Sequence, residues 1–398
     1  MSDPVVIVSA VRTPMGAFLG ELAGASAPFL GATAIGAAVR RSGLIPAQVD
    51  EVLMGCVLPA GLGQAPARQA ALQAGLPDTT ACTGVSKVCG SGMKAIMLAH
   101  DQLRADTCNV VVAGGMESMS NAPYLAPKAR KGCRLGHATL LDHMFLDGLE
   151  DAYANRGRLM GEFAEDCADE LGISREEQDR YAGESLRRAQ AAAADGSFEW
   201  EIEPVTLPAP KRGSDAVQVR LDEQPRISRI ERIPTLKPAF RPDGSVTAAN
   251  SSSISDGAAA LVMTRLSTAR ELGLTPIARI CAHATSAGEP RRFPTAPVGA
   301  ITKVLGRAGW NAGDVDLYEI NEAFAVVAIA AIRMLGLPAQ NVNPHGGACA
   351  LGHPIGASGA RIVVSLIAAL RSRGLRRGVA SLCIGGGEAT ALALEMER

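Results

Sequence analysis

Two cysteines and a histidine, far apart in the chain, each stand among glycines: Cys89 in KVCGSGMKA, His353 in ALGHPIGASGAR and Cys383 in CIGGGEA. Such surroundings let a backbone approach a ligand closely, so the three segments read as one dispersed site working through sulfur. Cys89 is followed by GSG and the helix-like MKAIMLAHDQLRA, which places it on a strained turn at a helix N-terminus. Free N–H groups and the helix dipole there favour thiolate over thiol, giving a nucleophile suited to thioesters; a small residue packed among glycines fits the same local sequence. His353 sits in a Gly-His-Pro-Ile-Gly loop, rigid enough to hold an imidazole that takes the cysteine proton and later donates to an oxyanion. Cys383 ends the apolar run VASLC and enters IGGG, whose bare backbone offers N–H donors worth roughly 3 kcal/mol each to a transition state. In YEINEAFA, Asn321 and Glu322 follow an apolar strand-like run; Asn321 suits orienting a water or donating to a carbonyl, and equally a helix N-cap.

The elements that must position these groups alternate strand-like and helix-like stretches: PVVIVSAV, GATAIGAAVRRSGL, EVLMGCVL and ARQAALQAGL open the chain. The order indicates an α/β layered fold. GATAIGAAVRRSGLIPAQVDEVLMG is echoed by APVGAITKVLGRAGWNAGDVDLYEIN, and CGSGMKAIMLAHDQLRADTCNVVVAGGMES by GASGARIVVSLIAALRSRGLRRGVASLCIGGGEA. Two similar halves would put Cys89 and the His353 segment at the starts of related helices and Cys383 at a strand end, the counterpart of Val112. Strand C-termini and helix N-termini gather on one side of such sheets, where ligands bind. Between the halves, about 120–250, the chain is richer in charge, proline and polar turns, with REEQDRYAGESLRRAQAAAADG reading as an amphipathic helix that ends at Gly196. This region is expected to cap the site. The halves so divided are 1–120 with 251–275, an inserted domain 121–250, and 276–398.

At 398 residues and 47% hydrophobic content the chain can bury a large core, and 39 Lys+Arg against 40 Asp+Glu leave no global field for nucleic acid or an anionic membrane. The start MSDPVVIVSAVRTPMG lacks a secretory pattern and no run approaches roughly 18 apolar residues, so a cytoplasmic protein is expected. Nine cysteines, an odd number without a CxxC pair, argue against both a disulfide framework and a zinc site.

In VRTPMGAFLG, VCGSGMKA, NEAFA, GHPIGASGAR and CIGGGEA, the chain closely resembles the thiolase family, the acetyl-CoA acyltransferases, over essentially its whole length. The resemblance implies a five-layered α/β/α/β/α fold of two βαβαβαββ halves with an inserted loop domain. It matches Cys89 to the acylated nucleophile, His353 to its base, and Cys383 to the acid/base that handles the second substrate. Asn321, through a water, and His353 match the oxyanion site for an enolate; the N–H groups of Cys89 and Gly385 match the one for the acyl-enzyme tetrahedral intermediate. Splitting the reaction through a thioester gives two easier steps and ping-pong kinetics. The substrates implied are acetyl-CoA or acyl-CoA and CoA, with no metal or redox cofactor. Arg226 matches a residue near the adenine, Ser252 one that meets the pantetheine, Met160 one lining the acyl pocket, and Phe240 and Phe324 apolar contacts.

Three residues depart from the family pattern. Leu159 stands where short-chain acetoacetyl-CoA thiolases resemble one another in having histidine, His345 where asparagine is frequent, and Glu388 where methionine or glutamine is common. The resemblance thus implies condensation of two acetyl-CoA to acetoacetyl-CoA, with a degradative 3-oxoacyl-CoA thiolase acting on longer chains as the nearest alternative. An acyl-CoA or lipid-binding protein on the same scaffold is a different class. A homodimer or homotetramer is implied, with ARKGCRLGHATLLDHM a candidate second contact.

Overall fold

The computed structural model describes residues 3–209 and 215–397; part of the polar stretch LPAPKRGSDAVQVRLDEQ, residues 210–214, lies outside them. The first half runs β1 (Val5–Arg12), α1 (Ala27–Ser42), β2 (Glu51–Gly55), α2 (Pro66–Gln73), β3 (Ala81–Val85), α3 (Ser91–Arg104) and β4 (Val110–Ser118). The inserted region follows, with α4 (Met160–Leu171) and α5 (Arg175–Ala194), and then β5 (Ser255–Arg265) returns to the first sheet beside β4 and β1. The second half is β6 (Ala278–Ala287), α6 (Ala296–Ala308), β7 (Leu317–Ile320), α7 (Ala325–Leu335), α8 (Ile355–Ser372), β8 (Arg377–Ile384) and β9 (Glu388–Met396). The repeated order gives the echo its structural meaning.

The strands form one hydrogen-bonded path, β7-β8-β9-β6-β1-β5-β4-β2-β3, with the short strand Gly16–Ala17 on β5. The sheets of the two halves are joined edge to edge through Val6↔Arg279 and Ile7↔Ala278. Helices α3 and α8 touch strands of both halves and each other, α1 covers the outer face of the first, and α6 that of the second, which makes five layers. One element of the duplicated pattern is reduced: the second half's third strand is a single parallel bridge, Tyr318↔Val342. The reason is Asn343, at φ 49°, whose side-chain amide accepts from Ile320 N–H and donates to Ile320 C=O, both at 2.8 Å, where a longer strand would have paired.

Helix α8 is apolar on all sides, as a middle layer requires, and residues Ile355–Leu370 are all buried. Its 18 residues also meet the length and composition of a membrane span, contrary to the expectation from sequence, but its apolar surface is spent on the two sheets. Missing side chains let its first turn sink in. A Cβ on Gly115 of β4 would lie 2.1 Å from the Gly356 carbonyl oxygen, and one on Gly55 of β2 2.7 Å from the same atom. Backbone therefore packs on backbone, and the loop before α8, carrying His353, is drawn to the start of α3, carrying Cys89.

Candidate active site

Cys89 precedes the first turn of α3 on a turn held by Ser91, whose hydroxyl accepts from Lys87 N–H at 2.8 Å and donates to Val88 C=O at 2.7 Å. Val88 has φ 46°, a left-handed conformation that a β-branched side chain resists at a cost of about 1–3 kcal/mol. The strained residue is thus the one before the cysteine. The N–H groups of Gly385 and of Cys89 itself point at the Cys89 sulfur and lower its pKa. Burial outweighs them and pushes the thiol up to about 11, which corrects the expectation of a resting thiolate. The helix N-terminus supplies donors for an oxyanion, while the sulfur rests protonated.

His353 is buried, its N–H bonded to Ser253 C=O at 3.0 Å. Its Nδ1 lies 2.5 Å from Ser358 Oγ, and that hydroxyl donates to Pro354 C=O at 2.9 Å. A serine has one proton, so with it committed to the carbonyl, Nδ1 must be the donor and Nε2 must carry the lone pair. Nε2 has no protein partner. Burial, reinforced by Arg361, lowers the imidazole to about 3, leaving it neutral and able to accept a proton.

Cys383 lies at the end of β8. Burial and the neighbouring Cys89 raise its pKa well above the ordinary thiol value. Asn321 follows the adjacent parallel strand β7, its N–H bonded to Ser381 C=O at 3.0 Å, so both groups occupy strand C-terminal ends as the topology argument required. Asn321 is no helix N-cap; Phe324 occupies that position in α7. Its Oδ1 accepts from buried Arg361 at 3.1 Å, which fixes the amide orientation and leaves Nδ2 as an unpaired buried donor.

Cys89, His353, Cys383 and Gly385 line one cavity of about 220 Å³. That is below the roughly 300–1,000 Å³ of pockets that enclose a drug-sized ligand, so it suits the reacting end of a longer molecule. Met160, Ser252, Phe240 and Phe324 line it too, with Phe145, Leu149 and Leu159 from the inserted region. Ser252 is held by Ala323 C=O, which accepts from both its N–H and its hydroxyl at 3.0 Å. Phe240 and Phe324 meet edge to face at 6.1 Å. Arg226 is not in this wall; it lies on the short helix Glu223–Ile227, paired with Glu21 at 2.6 Å. Asn321 is likewise not among the lining residues. Glu388 pairs with Lys87, two residues before Cys89, and His345 meets Phe198 edge to face at 6.0 Å.

Sequence reasoning missed the residues that hold the site. Glu117 on β4 accepts from Val57 and Gly356 N–H at 2.9 Å and from Leu58 N–H at 3.2 Å, tying a loop of the first half to the start of α8. Glu322 accepts from Tyr181 and Ser185 of α5, Asn343, and Cys349 N–H, joining the inserted region to the second half. Ser358, five residues after His353 in the same motif, was within reach of sequence reasoning; Glu117 and Arg361 gave no local signal.

A cysteine sulfur under two backbone donors, a neutral imidazole and a second sulfur, gathered between two duplicated βα halves, suit thiol-dependent acyl transfer. The family models for "Thiolase, N-terminal domain" and "Thiolase, C-terminal domain" match residues 5–267 and 274–396. The chain belongs to the thiolase family, and it is an acyltransferase. It is 51% identical over 392 residues to acetyl-CoA acetyltransferase 1 of Arabidopsis thaliana, covering 98% of this chain and 94% of that one. To the acetyl-CoA acetyltransferase of Cupriavidus necator it is 49% identical, covering 99% and 100%. The crystal structure of the Bacillus anthracis acetyl-CoA acetyltransferase superposes with a TM-score of 0.96 at 42% identity, covering 100% of this chain and 99% of that one.

Proposed function

We propose that this protein joins two acetyl-CoA molecules, reversibly, into acetoacetyl-CoA and CoA through acetyl-Cys89. The observation that carries the reading is the unpaired, buried Nε2 of His353, a residue that lines the same cavity as Cys89 and Cys383. Because the thiol rests high and the imidazole low, the resting pair is neutral, and the proton moves to Nε2 as sulfur attacks the thioester carbonyl. The tetrahedral oxyanion faces the N–H groups of Cys89 and Gly385. Its collapse expels CoA thiolate, which takes the proton of Cys383.

Acylation abolishes the charge that Cys89 could carry, so a thiolate at Cys383 is easier to hold after the first half-reaction than before it. That thiolate removes an α-proton from the second acetyl-CoA. The enolate oxygen accepts from protonated His353 and, through a water, from Asn321, and its carbon attacks acetyl-Cys89. The departing Cys89 sulfur recovers its proton from His353, and protonation states balance over the cycle. Run backwards, Cys383 deprotonates the incoming CoA thiol.

Incubation with acetyl-CoA should leave one acetyl group on Cys89 by peptide mass spectrometry; folded protein without that adduct would exclude the mechanism and favour a binding role. Leu159 in the cavity wall supports a second reading, the thiolysis of longer 3-oxoacyl-CoA chains, since an apolar side chain accommodates methylenes where histidine would oppose them. Cleavage rates across a chain-length series separate the two, and equal or higher kcat/KM on long chains would defeat the acetoacetyl assignment. We also infer a homodimer or homotetramer, which sedimentation would test.

A further inference from the structure

Outside the reaction cavity, His100 and Asp101 near the end of α3 meet His283 in the middle of β6, so a residue pair from the first half faces one from the second. His283 Nε2 lies 2.9 Å from Asp101 Oδ1 and 3.2 Å from His100 Nδ1, and the latter two atoms are 3.3 Å apart. Three donor atoms thus form a closed triangle. With His283 protonated at Nε2, that one N–H is shared between Asp101 Oδ1 and the His100 Nδ1 lone pair, which leaves Nδ1 and Oδ1 facing each other as two acceptors at 3.3 Å.

A divalent ion satisfies all three at once. Bonds of about 2.0–2.1 Å to nitrogen or oxygen at tetrahedral or octahedral angles set neighbouring ligands roughly 2.8–3.4 Å apart, the range these three contacts occupy. The triangle's circumradius is about 1.8 Å, so an ion with such bonds sits about 1 Å out of its plane and leaves its remaining positions to water. Both imidazoles are largely covered, with side-chain exposures of 16% and 14%, while Asp101 at 54% gives the ion a way in. The rings stand edge to face, 84° apart. Burial lowers the pKa of His100, keeping it in the neutral, ligating form. Arg307 fixes the strand by donating to His283 C=O at 2.7 Å. Arg104, one turn further on α3, is the opposing cation.

We propose that His100, Asp101 and His283 form a two-histidine, one-carboxylate site for a borderline divalent ion of the zinc, cobalt or nickel class. The ion would clip α3, the helix that begins beside Cys89, to the second half's first strand. It takes no part in the acyl transfer. Two nitrogens and one oxygen exclude calcium and magnesium as preferred occupants.

The test uses the whole folded protein with its accessible thiols first alkylated, so that exposed cysteines do not bind the probe. Zinc chloride titrated calorimetrically should bind at one ion per chain, and cobalt(II) should give visible d–d absorption without thiolate charge transfer. His283→Asn and His100→Asn should lose both signals, and Asp101→Asn, on the exposed side, should weaken binding about tenfold or more. Zinc at 100 times its Kd should raise Tm by about 3 °C in the parent and not in His283→Asn. An alkylated parent that binds no zinc, or histidine variants that bind it equally, would overturn the assignment. If a histidine variant does not fold, Asp101→Asn decides by itself: unchanged affinity refutes the site.

Discussion

Ser358 is the side chain whose removal most directly tests how the site works. In Ser358→Ala, Pro354 C=O keeps the N–H groups of Ala357 and of residue 358, both at 2.9 Å, so the start of α8 stays bonded. The loss falls on His353 Nδ1, whose 2.5 Å contact has no substitute within the buried loop. As Nε2 takes the Cys89 proton, this bond becomes one from an imidazolium, worth about 1.5–3 kcal/mol against about 1 for a neutral pair. Only the difference of about 0.5–2 kcal/mol acts on the barrier, so the acylation step should slow about 2- to 30-fold. Rapid-quench measurement of acetyl-Cys89 formation reads that step, and ¹⁵N spectra of the six histidines read the tautomer. The expected spectrum shows His353 protonated at Nδ1 in the parent and redistributed in the variant. Acylation within twofold of the parent, with the proton still on Nδ1, would refute the tautomer argument.

Three further perturbations separate the remaining roles. Cys383→Ala should still accept one acetyl group on Cys89 in rapid-quench experiments while condensation falls at least about 1,000-fold; equal loss of both half-reactions would contradict the assigned division. Arg361→Met frees the Asn321 amide to rotate, so condensation should slow about tenfold more than acylation, and the effect should not add to that of Asn321→Ala in a double-mutant cycle; full additivity would remove Arg361 from a positioning role. Burial and Arg373 lower His345 to about 4, so the unfolded chain takes up a proton below its ordinary 6.5 while the folded one does not. Stability is therefore lost as pH falls from 6.5 toward 4, by about 2–3 kcal/mol at pH 4.5 from this one residue. Urea unfolding of His345→Asn at pH 7 and 4.5 should show that much less acid loss than the parent; identical losses would place the acid sensitivity elsewhere.

The sequence by itself determined the alternation of strands and helices, its echo in the second half, and which groups are candidates for the chemistry. Local pattern is enough for these, because strand and helix periods, glycine-rich turns and motif residues are properties of short windows. Cys89, Cys383 and His353 were legible since each stands in a segment whose neighbours make sense only for close backbone approach. What tertiary structure decided is every property set by residues distant in the chain. The Cys89 thiol is high rather than low because burial by packed layers outweighs the local helix terminus. Glu117 and Arg361 act through partners some 60 to 240 and 40 residues away, which no window contains. His283 meets Asp101 at 2.9 Å and His100 at 3.2 Å across 182 and 183 residues of sequence, joined only because β6 comes back to α3. Desolvation and convergence are sums over the whole fold, so the chain names its reactive atoms while their protonation and their company come from the packing around them.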